Sequence, residues 1–328
     1  MENHYLKNTF NILFTNFKTF LLFEFIFKVL LSLILLPIGI WSFNSIMKFT
    51  GYHYLTAENI GNFLFNPVTF LLVLLLFVII SFLIIFDIST MIVIFDESYH
   101  KNKIRLVYAI KISFSKCKKI FHIRNILVCF LVLFLLPFLS IGIESVFITS
   151  IKIPVFVTEY ILKNQLSVGI YVGSYIALLI GFFEWLFSLH YMILEDKNFK
   201  NARKCSSDLI HKHMILDYFK IFFGRILFVV LFLIVLIFGY GLIVFCFQLF
   251  SYFQVSKSAF VTLVWVLLVI LILSFLILSN GVSYAIISAL YYEHKYELNE
   301  KVHSINAKMI LKNNKNYRLF PYFVILLC

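Results

Sequence analysis

The chain has 328 residues, 62% of them hydrophobic and 13% charged, with a formal net charge of +12. An ordinary soluble domain carries about 25% charged residues, so a soluble globular fold is excluded. The positive charge is confined to a few connectors and no nucleic-acid fold signature accompanies it, so no nucleic-acid partner is expected.

Residues 1–18 carry Phe10, Leu13, Phe14 and Phe17 at near-helical spacing, which predicts a short helix lying on the membrane surface. Six apolar runs follow: Thr19–Met47, Val68–Phe95, Ile126–Ile148, Ser167–Leu194, Ile221–Phe250 and Phe260–Tyr292. Each exceeds the roughly 20 helical residues needed to cross a hydrocarbon core, so the expected fold is an all-α polytopic membrane bundle. The first run is also longer than the roughly 7–15 apolar residues of a signal-peptide core, and no small-residue cleavage site follows it.

The connectors set the orientation. Eight Lys/Arg lie from Lys101 to Arg124, six from Lys197 to Lys220 and six from Lys295 to Arg318, whereas the alternate connectors hold only Lys48, then Lys152 and Lys163, then Lys257. Basic residues stay on the cytoplasmic side, which places the N-terminus and the tail after run six inside. The same residues suit contacts with anionic lipid headgroups. Thr50–Pro67, the first outward connector, holds Tyr52, Tyr54, Phe63 and Phe65, which favour the headgroup layer.

Two basic connectors resemble each other. Ala109-Ile110-Lys111-Ile112-Ser113 parallels Ala202-Arg203-Lys204-Cys205-Ser206, and each follows an acidic pair, Asp96-Glu97 or Glu195-Asp196. The pattern reads as a loose repeat of a two-span hairpin followed by a basic amphipathic helix. After residue 318 comes an apolar stretch, Leu319–Cys328, whose ten residues would extend about 15 Å as a helix, half of the roughly 30 Å core. It reads as the start of a truncated seventh span, or else as a short membrane-dipping tail. The expected segments are therefore 1–18 interfacial, 19–293 a six-span domain, 294–318 a basic cytoplasmic tail and 319–328 a partial span.

The five cysteines (117, 129, 205, 246 and 328) form no CxxC or Cys/His spacing and are expected to be free thiols. No P-loop, nucleophile elbow or zinc motif occurs, so no catalytic residue, cofactor or metal is expected. Ionisable residues inside spans are costly and become functional candidates by default. These are Glu24 and Lys28, four apart on one helical face, with Asp87, Glu184, His190 and Arg225. They form either a polar cluster lining a cytoplasm-facing cavity or a set of internal pairs holding the bundle, with Arg225 snorkelling to the surface. Asn280-Gly281, flanked by Ser279 and Ser283, reads as a candidate helix break of the kind that builds binding sites, or as a packing point between helices.

Several stretches are similar to a known family. They include Leu22-Phe23-Glu24 with Lys28, Gly51-Tyr52 with Leu55-Thr56-Ala57-Glu58-Asn59, Asn66-Pro67, and Ile153-Pro154 with Glu159-Tyr160-Ile161. Trp185-Leu186-Phe187-Ser188-Leu189-His190-Tyr191 running into Leu194-Glu195-Asp196-Lys197 completes the set. Over nearly its whole length the chain resembles the N-terminal membrane domain of bacterial membrane-anchored glycerophosphodiester phosphodiesterases. The resemblance implies a bacterial cytoplasmic-membrane location and a further span leading to a soluble phosphodiesterase domain. That domain would use a His-Arg-Gly segment and acidic metal ligands. This chain has no His-Arg-Gly; the nearest approach, His122-Ile123-Arg124, lies in a basic connector. The expected function is thus non-catalytic: anchoring or positioning a lipid-metabolic enzyme or its substrate, with membrane lipids and a phosphodiesterase domain or another membrane protein as partners. The alternatives are a small transporter or flippase for lipid headgroups and similar amphiphiles, or a purely structural partner.

Overall fold

The computed structural model describes residues 4–55, 59–121, 125, 127–129, 165–210, 214–252 and 257–298. Among them the regular structure is entirely helical. Helix α1 (His4–Thr15) turns at Asn16 into α2 (Phe17–Leu30), which passes through one π-helical turn, Leu31–Leu35, into α3 (Leu36–Phe49). The π turn has a local cause in Pro37, which supplies no N–H and whose ring presses on the preceding turn; widening the ladder there lets the span continue. After the short α4 (Ile60–Phe65), α5 (Pro67–Tyr99) begins at a side-chain cap. The Asn66 Oδ1 accepts the Val68 N–H at 3.0 Å, and Pro67 sits where a missing N–H costs nothing. There follow α6 (Leu106–Ile120), α7 (Gln165–Glu184), α8 (Ser188–Leu194), α9 (Phe199–Ile210), α10 (Met214–Tyr252) and α11 (Lys257–Glu297).

Four stretches among the described residues are long and apolar enough to cross a membrane: Phe17–Phe49, Pro67–Tyr99, Ile215–Phe245 and Val264–Glu297. They correspond to the first, second, fifth and sixth apolar runs. The third run lies outside the described residues except for 127–129, and the segment 319–328 lies wholly outside them. The fourth run is not one helix. It breaks at Trp185–Phe187, between α7 and α8, because a serine from another helix enters the backbone ladder. The Ser206 Oγ donates to the Glu184 carbonyl at 2.7 Å and accepts the Phe187 N–H at 3.0 Å, replacing helix-internal partners.

Burial is strongly uneven along the spans. At the end that carries the basic connectors, α5 is buried from Asp87 to Ser98, α8 is buried throughout, and α11 is enclosed almost continuously from Ser279 to Lys295. Helices α1, α2, α5 and α10 all pack on α11. Toward the other end the same helices expose Leu71, Leu75, Ile237, Phe238 and Trp265. This is the surface expected of a chain whose solvent there is hydrocarbon. The amphipathic helices α6 and α9 occupy the two basic connectors, burying Ala109, Ile112, Cys117, Ala202 and Leu209 while Lys118, Lys119, Arg203 and Lys204 stay exposed.

Candidate functional site

The buried polar side chains gather in layers down the basic half of α11. In the first layer, Glu24 and Lys28 pair at 3.4 Å on α2, both buried, as their i,i+4 spacing predicts. The rings of Phe23 and Phe27 both meet Phe86, which sets the neighbouring buried Asp87 of α5 at the same level. Asn280 and Gly281 do not break the helix: α11 runs through them without interruption. Gly281 is a packing point. A Cβ there would lie 2.0 Å from the Phe20 ring, so only glycine lets α2 approach α11 this closely.

One turn further, Arg225 of α10 stands beside Gly224, whose backbone packs against Ile286 of α11; a Cβ on Gly224 would lie 2.5 Å from the Ile286 Cδ1. The next layer joins His190 of α8 to α11: its Nε2 lies 3.0 Å from the Ser288 Oγ, and its ring stacks on Tyr291 at 5.0 Å between centroids. Glu184 is half-buried at the end of α7, where the α7–α8 break begins. Glu24, Lys28 and Asp87 thus share one level, Arg225 and His190 lie at levels further along α11, and Glu184 ends α7; Glu24 and Lys28 form a direct ion pair.

The densest polar layer involves residues the sequence reading treated only as landmarks. Adjacent tyrosines on α11 hold the two acidic pairs that close α5 and α8. The Tyr292 hydroxyl donates to the Asp96 Oδ1, and the Tyr291 hydroxyl donates to the Glu195 Oε1 at 3.0 Å. Lys295 also donates to Glu195 Oε1, and Lys197 pairs with its Oε2 at 2.9 Å. Burial disfavours the charge on Glu195, but the hydrogen bonds from Lys295 and Lys197 outweigh it and hold the carboxyl below its ordinary value. Lys197 is desolvated too, and its Glu195 partner more than compensates, raising its ammonium above the ordinary lysine value. Beneath this layer, the buried His294 presents Nε2 to Asp217 Oδ2 at 2.7 Å and Nδ1 to Glu297 Oε2 at 3.4 Å.

The two hairpin ends share more than their acids. Asn16, just before α2, accepts the Ile104 N–H on its Oδ1 at 3.1 Å; Asn125, just before the third apolar run, accepts the Phe199 N–H at 3.0 Å. Both receiving segments follow a residue with positive φ, Lys101 at 58° and Asp196 at 52°. Both then enter a basic helix whose fourth and eighth residues, Ala109 and Ser113 or Ala202 and Ser206, are fully buried. Asp196 finally ties the two units together, accepting from Lys116 at 2.8 Å and Lys119 at 3.3 Å.

One signal could have found this layer. An acid at the C-terminal end of a helix opposes the helix dipole, so Asp96-Glu97 and Glu195 needed buried or basic partners to persist there. Nothing local in the sequence names Tyr291, Tyr292 or Lys295 as those partners. Among the described residues no group of His, Cys, Asp and Glu is arranged to hold a metal ion.

Comparison with known protein families gives a match over almost the whole chain. The family model described as the membrane domain of glycerophosphoryl diester phosphodiesterase matches residues 6–328. No curated protein and no solved structure matches the chain. The match runs through the apolar helices, both hairpin ends and the polar layers of α11 alike, and the chain belongs to the glycerophosphoryl diester phosphodiesterase membrane-domain family.

Proposed function

We propose that this chain is a non-catalytic, multi-pass domain of the bacterial cytoplasmic membrane that anchors or positions a lipid-metabolic enzyme, or presents that enzyme's lipid-derived substrate. The observation that carries the reading is the family match over residues 6–328, which involves a membrane domain alone. In this reading the chain crosses the membrane six times up to Tyr292, and its N-terminus and basic end face the cytoplasm. The charge distribution supports that orientation, because the described basic helices α6 and α9 adjoin the polar end of the bundle. Exposed Lys103, Arg105, Lys118, Lys200, Arg203 and Lys204 on and beside α6 and α9 would meet anionic headgroups there.

The test is fractionation of host cells with and without the chain. Glycerophosphodiester hydrolysis should be membrane-associated when the chain is present and should shift to the soluble fraction, or fall on membrane-presented substrate, when it is deleted. The purified chain alone should hydrolyse nothing. Hydrolysis whose amount and distribution are unchanged by the deletion would overturn the anchoring role, and hydrolysis by the purified chain would overturn the non-catalytic one.

A further inference from the structure

Two apolar grooves flank α11 and adjoin along it. The larger, about 680 Å³, runs between α10 and α11 and is lined by Phe228, Val235, Gly239, Ile243, Leu267 and Leu278 among others. The smaller, about 370 Å³, lies on the other side against α2, with Phe17, Leu21 and Phe25. Ser274 and Leu278 line both, so the two grooves straddle one helix and meet on it. Their volumes fall within or near the range of small-molecule sites, and their walls are overwhelmingly side-chain hydrocarbon.

The larger groove has a defined length and a defined end. From Phe228 to Ile243 it follows fifteen residue steps of α10, about 22 Å, which exceeds the roughly 15 Å depth of one bilayer leaflet. At its basic end it is narrowed by aromatic rings: Phe275 packs on Phe228 at 5.7 Å and on Phe232 at 4.4 Å. Just beyond, Gly224 brings α10 onto Ile286 and closes the space between the helices. Arg225 sits at that closure, half-buried and one turn from Phe228. Gly239, toward the far end, has open space where a side chain would be, which gives the groove its width there.

We propose that this is a binding site for one anionic diacyl phospholipid, its two chains lying in the adjoining grooves and its phosphate held at Arg225. Two hydrocarbon slots that meet on one helix match a molecule with two chains joined at one head. A cation at the basic end of the longer slot complements a phosphodiester charge, and a guanidinium can bind it through paired N–H donors. The site is separate from the basic surface helices, which would meet headgroups without holding chains. It rests on the reading of the chain as a membrane domain that presents lipid-derived material, and it names the class of lipid.

The experiment reconstitutes the full chain in bilayer discs of phosphatidylcholine containing a minor fraction of phosphatidylglycerol, then identifies lipid retained after detergent extraction by native mass spectrometry. One phosphatidylglycerol per chain should be retained, about tenfold in preference to phosphatidylcholine. Arg225→Gln should abolish the preference while Arg225→Lys keeps most of it. Gly239→Phe fills the slot without meeting another atom at its Cβ, and it should reduce retention of both lipids. Retention of annular lipid only, without headgroup preference and unmoved by Gly239→Phe, would overturn the proposal. Because this readout needs no enzyme, its failure leaves the fractionation result standing, and the reverse also holds.

Discussion

The two hairpin ends use the same lock and apply it to different spans. At the first, Asn16 ties the start of α2 to the Ile104 N–H and Tyr292 holds Asp96; α5 enters the lock as a single unbroken helix. At the second, Asn125 ties the Phe199 N–H and Tyr291 holds Glu195, but the span arrives broken at Trp185–Phe187. The difference comes from one hydroxyl at the same register of the basic helix. Ser113 turns back to its own Ala109 carbonyl at 2.8 Å, whereas Ser206 reaches into the neighbouring span and takes over its ladder. The lesson is that the lock, rather than a straight span, is what the two ends require. In hydrocarbon, apolar contact gives little net drive to join helices, so polar pairs and close packing at one end do most of the holding.

That comparison can be broken at several points. The largest effect is expected at Glu195, because Lys295 is almost fully buried against it. Glu195→Ala should cost about 3–5 kcal/mol, the cost of leaving a buried charge without its partner. Thermal unfolding in detergent measures this, and Asp96→Ala, whose partners include Tyr292 and the partly exposed His100, should cost less. An equal loss in both variants would mean that the extra lysines on Glu195 contribute nothing.

A smaller contrast separates the two asparagines. Asn16 also donates to the Asn102 carbonyl at 2.8 Å and to the Ser98 hydroxyl at 2.9 Å, so Asn16→Ala should destabilise by about 1–3 kcal/mol and exceed Asn125→Ala. The serines should differ in the same way. Ser206→Ala strands the Glu184 carbonyl and the Phe187 N–H at about 1–3 kcal/mol, while Ser113→Ala should fall within about 0.5 kcal/mol of the parent. If Ser206→Ala were neutral, the break in the fourth run would have another cause.

Acid gives the smallest and most specific test. A carboxylate whose folded pKa is depressed contributes stability that is present above its unfolded value, about 4.3 for glutamate, and is lost as pH falls through the lower folded value. Stability should therefore decline below that pH in the parent, and the decline should be shallower in Glu195→Gln.

Much of this architecture is legible in the sequence. The four long spanning helices follow from run length and hydropathy, α6 and α9 from basic amphipathic spacing, and the Glu24–Lys28 pair from its i,i+4 offset. What the sequence hides is long-range. Asn280-Gly281 looks like a break because both residues disfavour helices in water, yet in a membrane the backbone keeps its helical bonds and the missing side chain instead admits Phe20. Ser206 lies 22 residues from the carbonyl it captures, and Tyr292 lies 196 residues from Asp96. No local pattern announces either partner, although the misplaced acids at the helix ends show that partners must exist.

Positioning an enzyme or its substrate at one face of the membrane requires that the locked, basic end face the cytoplasm. The direct measurement is labelling by a membrane-impermeant maleimide in intact cells, with single cysteines placed in a cysteine-free background at exposed Lys204 and exposed Tyr54. Tyr54→Cys should label in intact cells, and Lys204→Cys should label only after permeabilisation. The opposite pattern would contradict the orientation and, with it, the positioning role.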